Sequence, residues 1–346
     1  MLAPTHILVI RFSAMGDVAM TVPVIKNTLQ QHPQLQITVV SNAFYQPFFL
    51  GIERCNFFAA NLKQQHKGVL GMYRLFKQLK ATATFDAIAD LHSVLRSSML
   101  TSFFKLSGYT TATIDKGRTQ KKLLTKQKNK QLIQLPTSFE RYALVFKKLG
   151  IPTLLVTQNK VLPKAVLPDI VQPIFSATNK IIGIAPFAQH IQKMYPLIKM
   201  KLVVKALLQQ GYTILLFGGG KYEADILQTW QNEFGSNVTN IAGKYSLQNE
   251  LAIISNLQCM VSMDSANMHI ASLYNVPVIS IWGATHPYAG FCGWGQSPNN
   301  IISIDIYCRP CSVFGNKPCY RGDNACMNGI QPLQIVEKVV QYFPIN

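Results

Sequence analysis

The 346 residues carry 33 Lys and Arg against 15 Asp and Glu, a formal net charge of +18, with 48% apolar and only 14% charged residues. That composition excludes a disordered chain, and no apolar run approaches the ~18 residues that a membrane-spanning helix needs. The length suits two domains rather than one core, and the charge calls for an anionic partner: nucleic acid, an acidic membrane face or a phosphorylated substrate.

No zinc-finger, RRM-like or helix-turn-helix pattern accompanies the charge, so nucleic acid is not the expected partner. MLAPTHILVIRF is a buried-strand pattern with neither a basic n-region nor a small-residue cleavage site. A cytoplasmic protein with reduced thiols is therefore expected, and the cysteines number seven, an odd count.

In chain order, residues 6–11 read as a short buried strand, followed by the loop FSAMGD. Pro23 lacks an N–H and suits only the first turn of a helix, here predicted over 22–31. Asp17 is thereby left in the strand-to-helix turn, and a strand over 35–41 completes a βαβ opening. Helices over 69–80 and 93–106 flank a strand over 85–91. The stretch 116–130, KGRTQKKLLTKQKNK, holds seven basic residues and no acid. It reads as a solvated loop, or as an arm toward an anionic acceptor and membrane headgroups. A helix over 138–149 follows, and then Pro152, Pro163, Pro168 and Pro173 mark a linker.

The second half opens with a strand over 180–185 and the loop PFAQHIQKMYP. A helix over 197–210, a strand over 212–217, the turn Gly218-Gly219-Gly220 and a helix from about 221 come next. A strand over 238–243 and a helix over 247–255 lead into residues 261–287, VSMDSANMHIASLYNVPVISIWGATHP. This reads as a strand to 263, a polar turn at Asp264-Ser265, a helix to 274, a buried strand over 276–282, and a loop bearing Thr285 and His286. Polar residues thus fall where two strands end, which in an open α/β sheet line the ligand crevice. The first N–H groups of the helix after Asp264 have no intrahelical acceptor, so an anion or a hydroxyl-rich ligand suits the place. Taken singly, Asp264 reads more simply as an N-cap and His269 as a core histidine.

Cys308, Cys311, Cys319 and Cys326 follow a C-x2-C-x7-C-x6-C spacing. Thiolate coordination of a structural zinc uses such spacing, and free thiols satisfy it as well. A helix over 333–342 ends the chain.

The string D-S-x-x-M-H-I-A, then V-P-V, then G-x-T-x-P closely resembles the donor-site signature of the bacterial heptosyltransferases, glycosyltransferase family nine. I-R-x-S-x-x-G-D at 10–17, with Pro23 six residues on, is similar to that family's opening. FDAIADLHSVLRSS is similar to its D-L-Q-x-x-x-R-S segment, with His92 where glutamine is usual. The loop before Pro196 is similar to its H-P-G-A-x-x-x-x-K-R-W-P, with Ala185 for histidine, Phe187 for glycine and Met194-Tyr195 for R-W. Ala266 replaces a glycine, and its methyl crowds a backbone-to-ligand contact.

The resemblance implies an α/β protein of GT-B architecture, two Rossmann-like domains facing a central cleft. The acceptor-binding domain would span 1–155, the linker 156–179 and the nucleotide-sugar-binding domain 180–330, with 331–346 packing back on the first domain. It implies an inverting, metal-independent glycosyltransferase without a cofactor. A heptose or similar sugar would pass from a nucleoside diphosphate, ADP-heptose foremost, to the inner core of lipopolysaccharide at the inner face of the cytoplasmic membrane.

In that picture Asp17 is the general base on the acceptor hydroxyl, whose own pKa lies far above neutrality. Lys193, with Thr285, meets the diphosphate as charge builds on the leaving group. Gln189, Glu223, Asp264, Ser265, Ala266 and His269 complete the donor site, and Arg96, Lys116, Arg118, Lys121 and Lys122 hold the anionic acceptor. Two other readings stay open: a nucleotide-sugar epimerase or hydrolase on the same fold, and a non-catalytic anion- or nucleic-acid-binding protein.

Overall fold

Short runs such as HILVI and QITVVS are buried at successive positions without alternation, as in strands covered on both faces of a parallel sheet. The computed structural model describes residues 3–157, 161–175 and 180–344, and in it these runs build two parallel sheets. The chain divides into two units, Met1–Gly117 with Pro136–Asn159, and Arg118–Leu135 with Lys160–Asn346. Of the expected linker, residues 158–160 and 176–179 lie outside the described residues.

In the first unit β1 (His6–Ile10), β2 (Gln36–Ser41), β3 (Cys55–Ala59), β4 (Ala87–Asp90) and β5 (Thr110–Thr113) order as β3-β2-β1-β4-β5. β1 is central, with Ile7 opposite Ile37 on one side and Ala87 on the other. Its helices are α1 (Met15–Ala19), α2 (Thr21–Gln31), α3 (Gly68–Thr82) and α4 (Leu95–Leu106). α5 (Arg118–Leu124) belongs to the other unit, and α6 (Ser138–Lys148) returns to the first. Leu8 and Ile10 pack with Met72, Leu75 and Leu79 of α3 and with Leu100 and Phe104 of α4. α6 starts where Thr137 and Glu140 form a reciprocal capping box.

In the second unit β6 (Ile181–Ala185), β7 (Thr213–Leu216), β8 (Val238–Asn240), β9 (Cys259–Met263), β10 (Val278–Ile281) and β11 (Ile301–Ile302) order as β11-β10-β9-β6-β7-β8. The helices are α7 (Leu197–Gln209), α8 (Gly220–Phe234), α9 (Leu247–Ser255), α10 (Ala266–Leu273), α11 (Ala325–Asn328) and α12 (Pro332–Tyr342). β6 and β9 are neighbours, which brings the loops after Ala185 and Met263 to the same sheet end.

Within the second unit Ile335, Val336 and Val339 of α12 join the core beside Met200, Val203 and Val204 of α7. The basic stretch 116–130 is not simply a solvated loop. It folds into α5, because Leu124 is fully buried in a small cluster with Leu135 and Ala289. Lys121 lies over the Phe291 ring, 4.2 Å from its centroid, and Lys130 donates to the carbonyls of Tyr307 and Arg309.

Candidate active site

In the second unit β9 ends at Met263, and the chain enters α10 through Asp264 and Ser265. Ser265 is the N-cap residue, yet no side chain caps α10; its Oγ instead meets Ser262 Oγ at 3.1 Å. Asp264 is therefore not a cap. Its buried carboxylate pairs with Lys193, Nζ to Oδ2 2.9 Å. Lys193 ends a 3₁₀ turn, Ile191–Lys193, in the loop after β6, so the neighbouring strands β6 and β9 deliver the two charges to one place. The uncapped N–H groups of α10 add positive potential there.

Thr285 follows β10 and is fully buried. Its Oγ1 has no hydrogen-bond partner among the described residues. His269 is buried on α10, where its carbonyl accepts from Ser272 Oγ. Ala266 is the first residue of α10, and Gln189 is exposed in the loop after β6. Glu223 curls back on the glycine turn, where its Oε2 accepts from Gly219 N–H at 2.6 Å. Burial raises its pKa above the usual carboxylate value, and the Gly219 bond opposes the shift.

The loop bearing Thr285 is held by a residue that sequence reasoning missed. Arg309 is 5% exposed. Its Nε donates to Gly283 O at 2.7 Å, Nη1 to Ile304 O at 2.6 Å and Nη2 to Thr285 O at 3.3 Å. The backbone N–H groups of Cys311 and Ser312 donate to Ala284 O. Gly315 of the same segment lies against the stem of Lys193. The signal was present as a lone arginine inside C-R-P-C, but nothing in the spacing shows that its guanidinium is buried.

Among the described residues no three His, Cys, Asp or Glu side chains converge as a metal-binding set, and Cys308, Cys311, Cys319 and Cys326 are free thiols. Burial raises the Cys311 thiol above its usual pKa, and the nearby Cys308 and Cys319 add to the shift. The Arg309 guanidinium makes three of the segment's polar contacts.

In the first unit Asp17 is not in a turn but in α1, third from its start. Arg11, buried at the end of β1, pairs with it, Nη2 to Oδ2 2.5 Å. Arg11 Nη1 donates to Leu91 O at 2.7 Å, and its Cζ lies 6.0 Å from the centroid of the Tyr142 ring. Tyr142 is raised above the usual phenol pKa by burial. His92, whose Nδ1 accepts from Phe12 N–H, is held down to about 3 by burial first and then by Arg11 and Lys116. The Asp17 carboxylate thus has one oxygen fixed by a guanidinium and remains about one-third exposed.

The expected acceptor residues fall in both units. Arg96, exposed on the first turn of α4, and Lys116, bonded to Ser93 O, lie in the first unit. Arg118, Lys121 and Lys122 lie on α5 in the second, with Lys121 buried.

Residues 72–318 match the model of glycosyltransferase family 9 (heptosyltransferase). The chain belongs to glycosyltransferase family 9. It is 28% identical over 302 residues to lipooligosaccharide heptosyltransferase 2 of Haemophilus influenzae, covering 82% of this chain and 84% of that protein. Its structure is similar to that of a family 9 glycosyltransferase from Veillonella parvula, with a TM-score of 0.77, 18% identity and 99% and 98% of the two chains covered. The Escherichia coli ADP-heptose LPS heptosyltransferase II matches with a TM-score of 0.69 and 18% identity, over 97% of this chain and 98% of that one. This family 9 chain is a glycosyltransferase with the GT-B fold of two Rossmann-like units.

Proposed function

We propose that the enzyme moves a heptose from ADP-heptose to the inner core of lipopolysaccharide, with inversion at the anomeric carbon and without a catalytic metal. The observation that carries the reading is the buried Lys193–Asp264 ion pair at the uncapped start of α10. The Lys193 ammonium has three donors. One serves Asp264, and the others are available to the diphosphate, whose charge grows as the C–O bond to the sugar breaks. Thr285 Oγ1, buried without a partner, supplies a further donor. These groups provide at the leaving oxygen the positive potential that a divalent ion supplies in other transferases.

Asp17 takes the proton of the attacking hydroxyl. Attack from the face opposite the diphosphate inverts the anomeric centre in one step, so no covalent sugar-enzyme intermediate forms. The Arg11 contact orients the carboxylate and leaves its other oxygen for the hydroxyl. The H. influenzae and E. coli relatives support the donor and the acceptor assignment by name. The acceptor being a membrane lipid, the enzyme works at the inner face of the cytoplasmic membrane; no helix among the described residues is long and apolar enough to cross it.

The test is ADP release from ADP-heptose with and without a heptose-deficient lipopolysaccharide acceptor, with the product's anomeric configuration read by NMR. Acceptor-dependent release with inversion is expected, abolished by Asp17→Asn while donor binding persists. Equal release without acceptor identifies a hydrolase, and retained transfer in Asp17→Asn removes the general-base role.

A further inference from the structure

α3 and α4 lie side by side in the first unit, and their inner positions fill its core. Their outer stripe is not polar. Leu70 is 82% exposed and Leu106 85% exposed. The half-exposed Tyr73 ring meets Phe103 of α4 edge-on, with centroids 5.6 Å apart. Leu70, Tyr73 and Lys77 follow one face of α3, and Phe103 and Leu106 follow one face of α4, at helical spacing. The Tyr73–Phe103 contact joins the two faces into a single ridge.

The charge around this ridge has one sign. No Asp or Glu occurs from 54 to 85 or from 91 to 114, whereas α3 and α4 carry five Lys or Arg. Lys77 Nζ stands 5.6 Å from the Tyr73 ring centroid, and Lys105 is exposed next to Leu106. A single exposed leucine is ordinary. A row of leucines and aromatics framed only by cations fits a partner that is both apolar and anionic.

We propose that the α3–α4 ridge docks the protein on an anionic lipid bilayer. Leu70 and Leu106 enter the boundary between headgroups and acyl chains, Tyr73 sits at headgroup level, and Lys77 and Lys105 meet lipid phosphates. Stretch 116–130 is the more basic, but Lys121 and Lys130 are already engaged within the second unit. A nucleic acid would use the aromatic faces for stacking, and here Tyr73 is edge-packed on Phe103 with Lys77 over its ring. The inference rests on the proposed function only in that a lipid acceptor gives the enzyme a reason to be at a bilayer.

The experiment is flotation of the full chain with phosphatidylcholine vesicles and with vesicles that also contain phosphatidylglycerol, at low and high salt. Binding to the anionic vesicles alone, weakened by salt, is expected. Leu70→Ser with Leu106→Ser lowers the partition coefficient roughly tenfold. Lys77→Gln with Lys105→Gln lowers it roughly twentyfold at low salt. Both variants keep the wild-type melting temperature and the wild-type rate of transfer to a delipidated acceptor saccharide. Should the wild type itself fail to use that saccharide, the proposed function is in question while the flotation result still decides the ridge. Equal binding to neutral vesicles, anionic-vesicle binding untouched by both variants, binding to heparin without vesicle binding, or a changed oligomeric state in the leucine variant overturns the proposal.

Discussion

Gly315 packs directly on the aliphatic stem of Lys193: a Cβ at position 315 would fall on Lys193 Cγ, with Cδ 2.7 Å away. The Gly315 φ of +74° is also one that a side chain disfavours. The C-terminal segment therefore sets where the ammonium of the β6 loop points. Gly315→Ala combines backbone strain of ~1 kcal/mol with a push on that stem. We expect a small loss of melting temperature and a fall in turnover of roughly tenfold, because misplacing a reacting group by about an ångström is costly. Steady-state kinetics with the nucleotide-sugar, paired with a melting curve, checks it; unchanged turnover would show that Lys193 finds its position without the glycine.

The Lys193–Asp264 pair separates a structural role from a catalytic one. Lys193→Met leaves the Asp264 carboxylate buried without its counter-charge, and Asp264→Asn leaves the ammonium so. Each single change should destabilise the second unit by ~3 kcal/mol. The double variant Lys193→Met/Asp264→Asn buries no charge and should recover most of that loss. Turnover should stay down by roughly a hundredfold or more, since no ammonium meets the leaving diphosphate. Denaturant unfolding of the three variants, alongside their rates, tells the roles apart: activity returning with stability would make the lysine merely a structural partner.

The elements that carry these groups were legible because the strands β1, β2, β6, β9 and β10 are rich in aliphatic residues and Asp264, Ser265 and Thr285 follow their ends. The edge strands β3 and β5 were not, because they are only partly buried and TTAT has no hydrophobic pattern to read. Asp17 was assigned to a turn because Pro23 was taken to begin the only helix there. The short α1 precedes it, and Asp17 lies in its first turn, where Oδ2 accepts from Ala14 N–H at 3.5 Å. Pairing was beyond reach altogether. Nothing in the spacing announces that Arg11 would hold Asp17, which depends on how the chain turns from β1 into α1, or that Lys121 would leave solvent for the ring of Phe291 in a distant segment.

Arg309 offers a test of how the Thr285 loop is held. Its guanidinium satisfies three carbonyls at once, a fork that lysine cannot reproduce. Arg309→Lys should leave at least one buried carbonyl without a donor, at a cost of ~1–3 kcal/mol. It should also loosen Gly283 to Thr285. The expected kinetic signature is a higher KM for the donor with a smaller change in kcat, because the loop touches the diphosphate in the ground state as well. A loss confined to stability, with KM untouched, would mean that the loop keeps its shape without the arginine.

His92 supplies the pH prediction. Its ordinary value of 6.5 is pulled down to about 3 by burial, with Arg11 and Lys116 contributing. The folded ring thus stays neutral in a range where the unfolded chain takes up a proton. Between pH 6.5 and about 3 the unfolded state binds more protons, so stability falls as the solution is acidified and is unaffected above that window. The slope from this residue is at most about 1.4 kcal/mol per pH unit. His286, held down to about 4 by burial and Arg309, acts in the same direction. His92→Gln, which installs an uncharged side chain of similar reach, should keep neutral-pH stability and flatten the acid limb without abolishing it. Urea unfolding near neutrality and near about pH 5 measures the difference, and an acid limb as steep in the variant as in the wild type would show that His92 is protonated at no cost in the folded protein.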